Sequence, residues 1–226
     1  MLDSGARWVL NIFINGELLS GSIRYLLFDL GGVLYHIEHQ RTRRAFEQLQ
    51  MPGADTTVVF SLLHADEVFG LYDAGQISSD EFRNHLRSLY KLQANDEQID
   101  MAWNAMLIDV FPQTMPLLQA VCAKMPAGLL SNINQIHHRA IEYACLPIFD
   151  NLRDITMSYQ VGMRKPQKEI FLHAAALAGL PVQEILFLDD TPANIEMAAQ
   201  IGMQTMLIES SRPEWREQLL SIIDLS

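Results

Sequence analysis

Five short apolar runs punctuate the chain: YLLFD at Tyr25–Asp29, GLLS at Gly128–Ser131, ITMS at Ile155–Ser158, ILFLD at Ile185–Asp189 and TMLI at Thr205–Ile208. None alternates strictly between apolar and polar, and Gly, Pro, Asp or Asn bounds each one. Strands covered on both faces read this way, as in a parallel sheet. Helical segments fall between the runs. Pro166 opens one of them, KPQKEIFLHAAALAGL, and Gly179 lies near its end. Another, TPANIEMAAQIG, offers Thr191 as N-cap, Pro192 at the first helical position and Gly202 after the last turn. Strands alternating with helices predict a doubly wound α/β fold built on a parallel sheet.

One interval is too long for a simple crossover. About 100 residues separate Asp29 from the next core run, where a βαβ unit needs roughly 30. Ser78-Ser79-Asp80-Glu81 has the form of a capping box before a periodic segment reaching Leu92, and Asn95 to Gln98 repeats the form before Trp103. Residues 36–110 are therefore expected to form an inserted helical subdomain, with the core in 24–35 and 111–226. Residues 1–23 read as an upstream extension, such as an early start codon would add. A strand or hairpin around Asn15-Gly16 is the alternative. Trp8 to Ile14 is apolar, but Asn11 interrupts it and no small-residue cleavage site follows, so it is a poor signal peptide.

Composition narrows the function. The net charge of -11 over 226 residues disfavours non-specific binding to nucleic acid. An acidic protein can still hold a small phosphate, given a metal ion and a few aimed donors. No apolar run approaches the ~20 residues of a membrane span. Cys122 and Cys145 belong to no CxxC or Cys/His cluster, so they read as ordinary thiols of a cytoplasmic protein, without zinc or a disulfide.

The polar residues that carry chemistry stand at the C-terminal ends of the expected strands, where open α/β sheets bind ligands. Asp29 ends the first and is followed by Leu30-Gly31-Gly32, whose glycines allow a tight turn with amides facing an anion. Ser131-Asn132 follows the second. Lys165 stands in GMRKPQ before a helix, and Asp189-Asp190 ends ILFL. Each alone also suits a cap, a turn or a solvated charge. Together they give the order acid, hydroxyl, lysine, acid pair around one sheet.

That order resembles the haloacid-dehalogenase superfamily. YLLFDLGGVL is similar to its first motif, GLLSN to the second, MRKP to the third and FLDDTPANIEMA to the fourth. The resemblance runs from about Arg24 to the C-terminus. It implies a Rossmann-like core with the helical insert as a cap. YDAGQISSDEFRNHL also resembles caps of the branch holding sugar-1-phosphate phosphatases and the phosphatase domain of soluble epoxide hydrolase. The implied activity is hydrolysis of a small phosphorylated metabolite with Mg2+. Asp29 would be the nucleophile. Asp29, the Gly31 carbonyl and Asp190 would ligate the metal, and Asp189 would ligate it or hold a ligating water. Ser131, with Asn132 beside it, and the amides after Asp29, at Leu30, Gly31 and Gly32, would meet the phosphate, whose charge Lys165 would balance.

One position departs from the family. Most of its phosphatases carry a second Asp two residues after the nucleophile, as general acid and base, and here that residue is Gly31. His36 and Glu38 are candidate substitutes, or residues of the cap hinge. A dehalogenase, which needs no metal, and a non-catalytic ligand-binding protein remain as alternative readings. Oligomeric state and exact substrate are not legible in the sequence.

Overall fold

A computed structural model describes residues 12–14, 17–19, 23–59, 67–212 and 214–225 of the chain. Two strands near the N-terminus, β1 (Ile12–Ile14) and β2 (Glu17–Leu19), pair antiparallel with Ile14 opposite Glu17. Asn15-Gly16, and Trp8 to Asn11 of the apolar stretch, lie outside the described residues. The main fold begins at β3 (Tyr25–Phe28) and β4 (Tyr35–Ile37). Four helices follow, α1 (His39–Leu49), α2 (Glu67–Asp73), α3 (Ser79–Tyr90) and α4 (Asp96–Asn104), and then β5 (Leu107–Val110). Next come α5 (Thr114–Cys122), β6 (Ala127–Ser131), α6 (Gln135–Asn151), β7 (Asp154–Met157), α7 (Ser158–Val161) and α8 (Lys168–Ala178). The chain closes with β8 (Ile185–Asp189), α9 (Pro192–Gln200), β9 (Gln204–Leu207) and α10 (Trp215–Leu225).

Five strands form one parallel sheet in the order β7-β6-β3-β8-β9. The chain leaves β3 for one side of the sheet and returns to the other, so β3 and β8 flank the point where the winding reverses. Ligands of such sheets sit at that reversal. Successive side chains of β3 point to opposite faces. Leu26 and Phe28 enter the larger core with α5, α6 and α10, whereas Tyr25 and Leu27 enter the other with α8 and α9. A fully buried side chain of this size stabilises by about 1.5–3 kcal/mol, so both faces fix β3, and with it the position of Asp29.

The α1–α4 segment has a core of its own. Phe82 stacks on Tyr72 at 4.1 Å and meets Trp103 edge-on at 5.0 Å, with Phe46, Leu86, Tyr90 and Ile99 around them. Both expected capping boxes are formed, at Ser78/Glu81 and at Asn95/Gln98. The antiparallel pair β4·β5 carries the chain into and out of this segment.

Most strands differ by a residue from the expected runs, and two of the differing boundaries have a visible cause. β7 stops at Met157, because the Ser158 hydroxyl turns away to contact the carbonyls of Asp73 and Ile133. The helix expected from Pro166 starts at Lys168. Before it, Gln167 N–H donates to Arg164 O and Arg164 N–H to Gln167 Oε1, closing a turn over 164–167.

Candidate active site

Asp29 lies one residue beyond β3, held by its N–H donating to Leu188 O at 2.8 Å. Its carboxylate is nearly buried and meets Lys165 Nζ at 2.9 Å. The same ammonium donates to Asp189 Oδ2 at 2.6 Å. Asp189 is saturated with donors. Thr191 N–H reaches Oδ1 at 2.7 Å, and Asn194 Nδ2 lies 3.0 Å from each oxygen. Among the described residues Asp190 accepts only weakly, from the Thr191 hydroxyl at 3.3 Å and from its own backbone amide, so its oxygens are the freer ones. The loop after β3 passes tightly against it. Gly32 has φ +77°, and a Cβ there would lie 2.0 Å from Asp190 Oδ2. Only glycine tolerates both conditions.

The three carboxylates can bring ligand atoms within 4.8 Å of one another. Burial, reinforced by Asp189 and Asp190 and opposed by Lys165, pushes Asp29 up to about 8. Burial and Asp189 also raise Asp190. Burial alone would lower Lys165, but the two carboxylates outweigh it and hold the ammonium above its ordinary range. Three acids against one ammonium leave an excess of negative charge. It is relieved either by a proton on Asp29 or by a cation. The donors are carboxylate oxygens, the hard ligand type that magnesium takes.

The remaining candidates divide. Ser131 ends β6, buried beside β3. Asn132 clamps the lysine loop, donating to Lys165 O at 2.9 Å and accepting from Lys165 N–H at 2.8 Å. Leu30 N–H donates to Asp29 Oδ1 and Gly32 N–H to Tyr35 O. That leaves Gly31 N–H as the loop amide with no acceptor among the described residues. His36 and Glu38 flank Ile37, whose Cδ1 would be 3.1 Å from a Cβ at Gly31. Alternation along β4 sends His36 to the other face, where it stacks on Phe111 at 5.3 Å. A cavity of about 370 Å³ between Gln76–Ser78 and Tyr159 has none of the acids in its lining.

Residues 23–202 match the family model described as haloacid dehalogenase-like hydrolase. The chain belongs to this haloacid dehalogenase-like hydrolase family. Among its relatives, a D-ribitol-5-phosphate phosphatase from Bacteroides thetaiotaomicron is 29% identical, over 89% of this chain and 99% of that protein. A haloacid dehalogenase family enzyme from the same species, crystallised as an aspartate-to-alanine mutant with magnesium and inorganic phosphate, superposes with a TM-score of 0.79. It is 29% identical and covers 88% of this chain and 99% of its own. A predicted hydrolase of the family from Porphyromonas gingivalis gives a TM-score of 0.75 at 26% identity, covering 88% of this chain and 98% of its own.

Sequence reasoning did not single out Asn194 or the Thr191 amide. The signal was present in DDTPANI, since an Asn in the first turn of a helix that starts at a strand end can reach back to that end.

Proposed function

We propose that this hydrolase is a magnesium-dependent phosphatase of small sugar- or polyol-phosphate monoesters, with Asp29 as nucleophile. The observation that carries the reading is Lys165, whose buried ammonium bridges Asp29 and Asp189 beside Asp190. The name of the ribitol-phosphate relative supports the substrate class, and the magnesium and phosphate bound by the crystallised relative support the cofactor.

Asp29, the Gly31 carbonyl and Asp190 would hold the metal directly, with Asp189 orienting Lys165 and the surrounding hydrogen bonds. When bound, magnesium offsets the charge of the acids and of the incoming phosphate. Asp29 attacks phosphorus while the P–O bond to the leaving group breaks, giving an aspartyl-phosphate and an alkoxide that takes its proton from solvent or from one of its own hydroxyls. Water then attacks that phosphorus, releasing phosphate and regenerating the carboxylate. Ser131, the Gly31 amide and Lys165 are donors preorganised for the transferring group, the main catalytic resource in phosphoryl transfer. The α1–α4 segment acts as the cap over the strand ends. A metal-free dehalogenase has no use for Asp189 and Asp190 gathered beside Asp29.

The test is a panel of phosphate esters with and without magnesium, wild type beside Asp29→Asn. Hydrolysis lost on chelation and in the variant, whose circular dichroism stays unchanged, supports the reading. Turnover by Asp29→Asn at the wild-type rate removes Asp29 from the role, and turnover untouched by chelator removes the metal.

A further inference from the structure

We propose that Asp73 and Arg164 form a specificity-determining pair that grips a hydroxyl of the substrate's leaving group, so that the preferred substrate is the phosphate of a polyhydroxylated alcohol. This rests on the phosphatase reading above and extends it to the far end of the substrate.

Asp73 ends α2, and the loop after β6 and the start of α7 converge on it. Asn134 Nδ2 donates to its Oδ1 at 3.1 Å, and the Ser158 hydroxyl lies 2.5 Å from its carbonyl oxygen. Arg164 approaches from a third direction. It lies along α2 at Gly70, where a Cβ would stand 3.3 Å from Nη1. Gly70 and Asp73 are three residues apart and share that face of the helix.

The pair is near contact but not joined. Arg164 Nη2 is 3.8 Å from Asp73 Oδ2, with the side chains 33% and 23% exposed. Among the described residues Oδ2 receives no hydrogen bond, and Arg164 Nε, although buried, has no acceptor. Burial raises the Asp73 carboxyl, while Asn134 and Arg164 oppose the rise. Two charged groups thus face one gap with unused bonding capacity. A hydroxyl both donates and accepts, so it can donate to Oδ2 while accepting from the guanidinium.

The two ends of such a substrate would draw on the same stretches of chain. Arg164 adjoins Lys165, and Asn134 follows Ser131 by three residues, at most roughly 11 Å of extended chain. A short polyol phosphate seated on Asp29 would place its far hydroxyls toward this pair. An apolar leaving group would leave the pair unsatisfied, and sites built for a hydroxyl reject analogues that lack one.

The test measures binding in the Asp29→Asn protein with magnesium, by calorimetry. The probes are a five-carbon polyol phosphate and inorganic phosphate. The polyol phosphate should bind more tightly than phosphate. Asp73→Ala, and independently Arg164→Met, which keeps the Asp73–Asn134 bond, should each weaken it about tenfold while the affinity for inorganic phosphate stays unchanged. Equal weakening of both probes would make the pair a mere brace between α2 and the core. No weakening, or no advantage of the polyol phosphate in the parent, would also overturn the proposal. Because the readout needs no turnover, a wild type that binds the polyol phosphate without cleaving it refutes the phosphatase and leaves the pair standing.

Discussion

Gly32→Ala separates what the backbone requires of the loop after β3 from what Asp190 requires. The residue has φ +77°, and the left-handed region costs a residue with a Cβ about 1–2 kcal/mol. The added carbon would sit 2.0 Å from Asp190 Oδ2 and 2.6 Å from its Cγ. Ordinary carbon contacts begin near roughly 3.5 Å, so the carboxylate must retreat by more than an ångström and leave its rotamer, at about 0.5–1.5 kcal/mol more. Loss of about 1.5–3.5 kcal/mol in total lowers the melting temperature of a chain this size by about 3–14 °C. Gly162→Ala supplies the control, because Gly162 has φ +72° but open space around the missing Cβ. It should show the backbone cost alone. The assays are thermal unfolding in chelator and magnesium titration of both variants. Gly32→Ala should also lose more than tenfold in magnesium affinity, whereas Gly162→Ala should keep the wild-type value. Equal melting temperatures for the two variants together with unchanged magnesium affinity would refute the reasoning.

Lys165→Met should cost about 3–5 kcal/mol at neutral pH in chelator, since it leaves buried carboxylates unpaired, and magnesium should restore part of the loss in denaturant titrations. Magnesium affinity should rise with pH and level off above about 8, because Asp29 must release its proton to bind the ion. By the same linkage, Asp29 favours the metal-free fold below its unfolded value near 4, and that contribution disappears as pH rises through about 8. A flat affinity profile would contradict this. His137, lowered to about 3 by burial, should cost the fold stability as pH falls from about 6.5, by at most about 1.4 kcal/mol per pH unit. The stability difference between wild type and His137→Gln should therefore change over that range. Gly31→Asp should speed hydrolysis of esters with poor leaving groups, by up to about 100-fold, and a rate series across leaving-group pKa checks it.

The five strands were legible because burial on both faces makes each an unbroken apolar run, and because Gly, Pro, Asp or Asn closes it. The end of β7 moved because a side chain chose a distant partner. Ser158 belongs to the ITMS run by pattern, but its hydroxyl is spent on Asp73 and Ile133. The acids and Ser131 were legible as polar residues at the ends of apolar strands and Lys165 as the lysine before a helix, although α7 separates it from the end of β7, and the structure gathers Asp29, Lys165, Asp189 and Asp190 into one cluster. What stayed hidden depends on side-chain direction. Nothing in GLLSN distinguishes an Asn that meets a ligand from one that clamps the Lys165 backbone, and spacing alone does not bring Asp73 to Arg164 across 91 positions.

The missing acid at Gly31 follows the same logic. Gly31 has no left-handed φ, so the backbone does not demand glycine there. What occupies the space is Ile37, whose Cδ1 would touch a new Cβ at 3.1 Å. An isoleucine tip can yield a few tenths of an ångström, so Gly31→Asp is sterically open in a way Gly32→Ala is not. Ile37 also explains why its neighbours are poor substitutes for the acid. The residue of β4 that faces the loop after Asp29 is apolar, and His36 is engaged with Phe111 on the other side. On the proposed mechanism a leaving alcohol would depart beside Ile37 and not beside the carboxyl that an Asp at position 31 would supply. That arrangement favours esters whose alcohol needs little protonation, or whose own hydroxyls can supply a proton. A polyhydroxylated leaving group held by Asp73 and Arg164 would meet the second condition, and a steep dependence of rate on leaving-group pKa for simple alkyl esters, flattened for polyol phosphates, is the kinetic form that argument takes.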